Sequence, residues 1–204
     1  MTPALTTRGA ATRARIIEGA AQEIREHGVT VTLDDIRART RTSKSQLFHY
    51  FPGGKEQLLL AVAEHEAGRV LDDQQPFLGE LADWESWAAW RDAVIARYRA
   101  QGRQCPLAAI MTEVGRATPA AQAITSALIS EWERHITNGV TRMRDAGLVG
   151  HSIDSTLFAR SLIAGIQGGV ALMLATGSFD YLEAALDSGI SELRPSARAA
   201  GSAR

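Results

Sequence analysis

The stretch that decides the fold is residues 32–55, TLDDIRARTRTSKSQLFHYFPGGK, because its pattern is typical of two short helices joined by a tight turn. The hydroxyl of Thr32 can cap a first helix that continues to about Thr40. Ser43 begins a second helix, and Gln46 follows three residues later, which is the spacing of a capping box. This pattern predicts a helix-turn-helix.

The second helix is about two turns long and has two different sides. Its apolar side holds Leu47, Tyr50 and Phe51, whereas the other side holds Ser45, Gln46, Phe48 and His49. Pro52 and the glycines after it end the helix. An apolar side can anchor the helix while the polar side hydrogen-bonds to base edges, so the pattern suits a helix in the major groove of DNA.

Length and composition indicate a globular chain. Of its 204 residues, 45% are hydrophobic, which is enough for a packed core. The most apolar run, 162–176, is too short to span a bilayer, and the first residues lack the apolar core of a signal peptide. A single cysteine cannot form an intrachain disulfide. We therefore expect a cytoplasmic protein with no membrane partner.

Charge is distributed unevenly along the chain. Residues 1–55 contain nine Lys and Arg against five Asp and Glu, a balance of +4, although the whole chain carries −1. The basic residues that could neutralise DNA phosphates are Arg8, Arg13, Arg15, Arg37, Arg39, Arg41 and Lys44. The alternative is that these side chains only keep helix surfaces solvated.

The rest of the chain has helical periodicity and predicts no strand. Besides the two short helices, we expect helices at 8–27, 54–70, 83–100, 106–117, 119–146, from 152 or 154 to 175, and at 179–193. The polar, proline-terminated segment 72–76 is the best candidate boundary. The fold class is therefore all-α with about nine helices.

No pattern in the sequence predicts an enzyme, a cofactor or a metal site. Phosphate-binding glycine loops and nucleophile elbows are missing, and the five histidines lack the spacing of metal ligands. Cys105 could sense redox state, but a structural role at a helix start is favoured because no second cysteine is present.

Residues 10–71 resemble the DNA-binding domain of the TetR family of bacterial transcriptional regulators. The resemblance is carried by Thr32, Ile36, Ser43, Lys44, Leu47, Phe51 and Lys55. Arg41 stands where the family usually has a turn glycine, Thr42 where it has valine, Arg37 where it has alanine, and Phe48 where it often has tyrosine. The Pro-Gly-Gly-Lys ending and the sequence Cys105-Pro106-Leu107-Ala108 are similar to the LmrA/YxaF-like branch.

The resemblance implies double-stranded DNA as a partner and a three-helix DNA-binding domain at 1–55. A connecting helix and linker would follow at 56–75, and a ligand-binding and dimerisation domain at 76–204. The DNA-contact residues would be Thr32, Thr42, Ser43, Lys44, Ser45, Gln46, Phe48, His49, Tyr50 and Lys55. Phe48 has no hydroxyl for a phosphate, and Tyr50 could supply one instead.

The resemblance also implies a homodimer formed by the last two helices. The helix that ends near residue 175 is apolar over too much of its circumference for a surface helix, so a partner helix or an intrachain core must cover it. The interface residues we expect are Phe158, Leu162, Ile166, Val170, Tyr181, Leu182 and Leu186.

A small-molecule ligand is the third implied partner. The apolar pocket would be lined by some of Trp84, Trp87, Trp90, Tyr98, Met111, Phe158, Leu162 and Met173, with Glu113 and His135 as possible polar contacts. The favoured function is a ligand-responsive repressor on a palindromic operator. The alternatives are a DNA-binding structural protein, and a small-molecule carrier or interaction module with weak or lost DNA binding.

Overall fold

A computed structural model describes residues 6–102, 107 and 118–194. The helices in this part of the chain are α1 (Thr7–His27), α2 (Leu33–Thr40), α3 (Lys44–Tyr50), α4 (Gly54–Asp72), α5 (Trp84–Gln101), α6 (Pro119–Asp145), α7 (Ser155–Thr176) and α8 (Asp180–Glu192). The predicted all-α class is confirmed. The further helix expected at 106–117, together with Cys105, Met111 and Glu113, lies outside the described residues.

The chain divides into two compact units, which are not the three segments expected from the sequence. The first consists of the described residues of 1–70 and 104–127, and the second of those of 71–103 and 128–204. Both α4 and α6 contain residues of each unit. The functional boundaries proposed at 55 and 75 stay predictions.

The first unit packs α1 against the helix-turn-helix. Ile16, Ile36, Leu47, Phe51 and Leu58 are fully buried in its core. A glycine is required at position 19, since a Cβ there would lie 2.3 Å from Cγ2 of Thr40, at the end of α2. The apolar side predicted for the second short helix is therefore the side that anchors it.

The second unit is built around buried tryptophans. Trp87 lies edge-on to the rings of Trp90 and Phe158, with centroid distances of 5.6 and 5.9 Å. The indole N–H of Trp90 donates to the buried side-chain oxygen of Gln74 at 2.8 Å. Gln74 belongs to the polar segment that the sequence suggested was only a linker, but its side chain is part of this core.

Helix α7 is the one described helix whose length and composition would allow it to cross a membrane. An 18-residue window of it has a mean hydropathy of 1.6, and 44% of that window is buried. The run of 162–176 counted in the sequence is only part of this 22-residue helix. One such helix is weak evidence for a membrane span, since core helices pass the same test, and α7 packs on α8 in this structure.

Candidate nucleic-acid interface

Two capping boxes hold the helix-turn-helix in place. The amide of Asp35 donates to the Thr32 hydroxyl, and the amide and hydroxyl of Thr32 donate back to the Asp35 carboxylate. These bonds, led by that from the hydroxyl, hold the pKa of Asp35 below its usual value. Ser43 and Gln46 form the same reciprocal pair at the start of α3. The predicted caps are therefore confirmed, and they fix where each short helix begins.

The turn between α2 and α3 is left-handed at Arg41. Its φ and ψ are 49° and 44°, and it is the one non-glycine residue with a positive φ in the described chain. A side chain in this conformation costs roughly 1 kcal/mol relative to glycine. Arg41 thus adopts a backbone conformation that a glycine would adopt freely.

Helix α3 presents its polar side to solvent. Ser45, Gln46 and His49 are exposed, and Phe48 keeps 39% of its surface accessible. Tyr50 is half-buried, with its ring edge-on to that of His49 at 4.9 Å. The Gln46 side-chain oxygen accepts from the Ser43 amide, and the Ser45 hydroxyl bonds to that of Ser43. The side-chain NH₂ of Gln46 and the imidazole of His49 are the outward groups left for hydrogen bonds to bases.

Three predicted contact residues flank this side of α3. Thr32 and Ser43 are exposed at the caps, although their hydroxyls already bond within the caps. Lys44 is exposed and forms no ion pair within the described residues. An ammonium group beside the free amides of a helix start suits a phosphate oxygen.

Thr42 and Lys55 have partners inside the first unit. Thr42 is 4% exposed, and its hydroxyl donates to the Thr40 carbonyl. The Lys55 ammonium is half-buried and donates to the Val29 carbonyl at 2.8 Å. Sequence position alone suggested DNA contacts for both, but the structure places the Thr42 hydroxyl inward. Lys55 retains two donors for other acceptors.

Three of the seven basic residues proposed to neutralise phosphates are already engaged. Arg37 pairs with Asp34, whereas Arg39 pairs with Glu23 and Glu26. The guanidinium of Arg13 lies over the ring of Phe51 at 5.3 Å. Arg8, Arg15, Arg41 and Lys44 are exposed and form no ion pair among the described residues. The charge count therefore overstates the electropositive surface.

The residues expected in the ligand pocket form the core of the second unit. Trp87, Trp90, Tyr98, Phe158, Leu162 and Met173 are buried. Trp84 is half-buried beneath the guanidinium of Arg194, at 4.8 Å from its ring. His135 is half-buried on α6, where desolvation, followed by the charge of Arg134, lowers its pKa. Their assignment to a pocket stays a prediction.

The residues expected at the dimer interface mostly face their own chain. Phe158, Leu162, Ile166, Val170, Leu182 and Leu186 are buried, whereas Tyr181 is 51% exposed. The reason is the close packing of α7 on α8: a Cβ at Gly169 would lie 2.6 Å from Cα of Leu182. Gly169 therefore admits the backbone of α8 at close range.

A different side of α7 is left open. Ten residues of α7 are exposed, among them the polar Arg160, Gln167 and Thr176. The other seven, which we call the α7 stripe, are Leu157, Ser161, Ala164, Gly168, Ala171, Leu172 and Ala175. Leu157 and Leu172 keep 62% and 44% of their surfaces accessible. Sequence analysis missed this stripe, although its spacing of three and four residues was visible. It also missed Trp132, whose side chain is fully buried.

Two family models match successive parts of the chain. The family model for bacterial regulatory proteins of the tetR family matches residues 16–62. The model for the tetracyclin repressor-like C-terminal domain matches residues 84–188, which is more than half of the chain. An uncharacterized HTH-type transcriptional regulator of Mycobacterium tuberculosis is 30% identical over 110 residues, covering 50% of this chain and 53% of that protein. The chain thus matches about half the length of that relative.

Solved structures share the fold at low sequence identity. A TetR transcription regulator from Haloarcula marismortui has a TM-score of 0.77 at 17% identity, over 90% of this chain and 97% of that one. SmeT in complex with triclosan has a TM-score of 0.68 at 21% identity, over 92% and 93%. SmeT is described as the repressor of a Stenotrophomonas maltophilia multidrug efflux pump. With both of its halves matched by models of one family, the chain belongs to the TetR family of transcriptional regulators.

Proposed function

We propose that the protein is a cytoplasmic, ligand-responsive repressor that binds a palindromic operator as a homodimer. The observation that carries the proposal is the exposed polar side of α3, Ser45 to His49, on a helix anchored by the fully buried Leu47 and Phe51. A short helix whose apolar side is buried and whose polar side is exposed can enter a major groove without rearrangement.

The residues on α3 divide by chemistry into base contacts and phosphate contacts. Gln46 and His49 offer hydrogen-bonding groups to base edges, and Phe48 offers apolar surface to a thymine methyl. Lys44 would contact a phosphate, which contributes affinity without sequence information. Because Lys55 and Tyr50 are only half-exposed, we assign them secondary phosphate contacts.

A dimer is needed because one two-turn helix contacts too few bases to be selective. The α7 stripe, with the half-exposed ring of Tyr181 on α8, is the surface we assign to it. Alanine, serine and glycine let a second helix approach closely, while Leu157 and Leu172 supply apolar area. We prefer this surface to the other six residues that the resemblance implies, because their side chains are buried within the chain.

The second unit would hold the ligand. Its aromatic core favours a small apolar or amphipathic molecule, and the triclosan complex of SmeT shows that a protein of this fold can bind one. Binding would release DNA only if the ligand prefers the conformation with the wrong spacing of the two α3 helices.

Selection from a random double-stranded DNA library tests the DNA-binding part. We expect the wild type to enrich one palindrome. Lys44→Ala should weaken binding to all sequences. It should also reduce the slope of log binding constant against log salt concentration by about one per half-site. Gln46→Ala or His49→Ala should instead relax the preference at particular positions, and the exposed Gln122→Ala serves as the control. Equal losses on specific and random DNA for the second pair would refute the role assignment.

The dimer is tested by placing a charge on the α7 stripe. Ala164→Glu should give a monomer in sedimentation experiments and abolish the preference for a palindrome. Ala100→Glu makes the same change at an exposed alanine of α5 and should leave the dimer intact. A dimer that survives Ala164→Glu would exclude this surface.

The second candidate is a small-molecule carrier or interaction module with weak or lost DNA binding. The internal partners of Thr42 and Lys55 favour it, because they occupy two groups that the family resemblance directs to DNA. It predicts no enriched DNA sequence, together with a rise in melting temperature from a panel of small apolar compounds that includes triclosan. If the protein is a repressor, we expect one DNA sequence to be enriched and such a compound to release the protein from it.

A further inference from the structure

Two tryptophans in the core of the second unit have an indole N–H without an acceptor. Trp87 and Trp132 are fully buried, and in the part of the chain that the structure describes neither Nε1 has a hydrogen-bond partner. Trp90 is equally buried, but its N–H donates to the side-chain oxygen of Gln74 at 2.8 Å. A buried tryptophan usually has a partner for this group. The two unpartnered donors therefore need an acceptor that the described residues do not supply.

Both indoles belong to the same side of α6. A Cβ at Gly139 would lie 3.3 Å from Cζ2 of Trp87, which is on the same edge of the indole as Nε1. Trp132 is part of α6 itself, seven residues before Gly139. Seven residues make close to two turns, so the two positions face the same way and are about 10 Å apart along the helix. The fully buried Ile136 lies between them. This side of α6 is thus an apolar wall with an indole donor near each end.

The core of the second unit holds no buried charge. Among its described residues, no Asp, Glu, Lys, Arg or His is fully buried. Its buried amide, Gln74, already bonds to Trp90. A charged ligand would lose its hydration here without an opposite charge to compensate. An uncharged ligand with an oxygen or nitrogen acceptor would instead satisfy a donor that is otherwise buried and unpaired.

We propose that the ligand of the second unit is an uncharged, largely apolar molecule with a hydrogen-bond acceptor such as a carbonyl oxygen, which the indole N–H groups of Trp87 and Trp132 bind. The inference rests on the proposed function, because it specifies the ligand class that this function leaves open. A purely apolar molecule of the same shape would leave both donors unpaired. A site with buried donors rejects an analogue that lacks the acceptor much more strongly than an apolar pocket rejects a missing methylene group.

Matched pairs of compounds test the acceptor. Acetophenone and benzophenone carry a carbonyl group where ethylbenzene and diphenylmethane carry a methylene group. In isothermal titration calorimetry, we expect the wild type to bind a carbonyl compound about tenfold or more tightly than its methylene analogue. Hydrophobicity alone predicts the opposite order, because the methylene compounds are the more apolar. Equal affinity within each pair, or a preference for the methylene member, would overturn the inference.

The indole N–H signals in a nitrogen-edited NMR spectrum show which tryptophans bind the carbonyl. The signals of Trp87 and Trp132 should move further downfield with benzophenone than with diphenylmethane, whereas that of Trp90 should respond equally to both. Each signal is assigned by its loss in the corresponding Trp→Phe variant. Equal responses of Trp87 and Trp132 to the two compounds would contradict the inference in the unmodified protein.

Removing the donors should remove the preference for the carbonyl compound. Trp87→Phe and Trp132→Phe keep an aromatic ring, and the double variant should bind both members of a pair about equally. Trp90→Phe is the matched control, because its donor is already bonded to Gln74, and it should retain the preference. A preference that survives in the double variant would overturn the inference.

These measurements contain no DNA, so their result is separate from that of the DNA selection. A protein that prefers carbonyl compounds but enriches no DNA sequence would keep this inference and lose the repressor. If no compound of either pair binds, the ligand-responsive function fails together with the inference. Equal binding within each pair overturns the inference alone.

Discussion

Two neighbouring glycines of α7 should respond oppositely to the same substitution. A Cβ at Gly169 would lie 2.6 Å from Cα and 3.0 Å from N of Leu182, and 3.0 Å from the Tyr181 carbonyl oxygen. All three are backbone atoms, so no side-chain rotation can make room. A Cβ at Gly168 would meet no atom within 4 Å. Gly168→Ala should therefore stabilise the second unit, and Gly169→Ala should destabilise it.

The magnitudes follow from helix propensity and contact distances. Alanine gains up to about 1 kcal/mol over glycine inside a helix, and both variants receive this gain. Carbon atoms normally approach to about 3.5–4.0 Å, so α8 must withdraw by roughly 1 Å to accept the methyl group of Gly169→Ala. Overpacking costs about 1–3 kcal/mol. Because only backbone is in the way, we expect the upper part of that range and a net loss of about 1–2 kcal/mol.

Thermal unfolding followed by tryptophan fluorescence measures both effects. The four tryptophans all lie in the second unit, so the signal reports the unit that contains α7 and α8. We expect the melting temperature to rise by about 2–4 °C for Gly168→Ala and to fall by about 2–8 °C for Gly169→Ala. Since Gly168 belongs to the α7 stripe, both variants must be compared in the same oligomeric state. A Gly169→Ala variant as stable as the wild type would refute the close crossing of α7 and α8.

Three other predictions concern single side chains of the second unit. Gln74→Leu should cost about 1–3 kcal/mol, because it leaves the indole N–H of Trp90 buried without an acceptor; chemical denaturation measures the loss. Asp83 caps α5, and the backbone amide of the third residue of that helix holds the Asp83 pKa below its usual value. Its contribution to stability is therefore present above the ordinary pKa and disappears as the pH falls through the lowered one. Asp83→Asn should make unfolding less sensitive to acid as the pH falls below the ordinary aspartate pKa of about 4. Burial lowers the pKa of His135, so the unfolded chain binds this proton more readily, and stability should fall as the pH drops below about 6.5. Arg134→Gln should raise the His135 pKa in an NMR titration, and no change would contradict its assigned electrostatic effect.

Local features of the fold were predictable from sequence because their causes lie within a few residues. The caps at Thr32 and Ser43 need only a hydroxyl and an acceptor or carboxylate three residues later, and both form as expected. The end of α1 at Gly28 follows likewise from the positive φ of 75° that glycine tolerates. Such signals do not depend on what the helix packs against.

Side-chain partners from distant parts of the chain were not predictable in the same way. Gln74 occurs in a polar, proline-terminated run, and nothing in that run indicates an indole sixteen residues later. The Lys55 ammonium similarly finds the Val29 carbonyl, twenty-six residues earlier in the chain. The type of a side chain determines which hydrogen bonds it can form, but the fold determines which partners lie within reach. For Lys55, this distinction separates a free cation from one that is partly satisfied.

The same limit explains why the sequence alone does not separate the side of α7 that packs on α8 from the α7 stripe. Periodicity shows that Phe158, Leu162, Ile166 and Val170 are buried, but it cannot say whether the covering helix belongs to the same chain. In the structure, α8 of the same chain buries these side chains. Their apolar surface is therefore no longer accessible to a second chain. In the dimer we propose, the partner would bind through the α7 stripe, which consists mostly of small residues with a leucine near each end. On this argument, a stripe that reads as weakly hydrophobic in sequence is the better candidate for association, because the strongly hydrophobic positions beside it are already occupied.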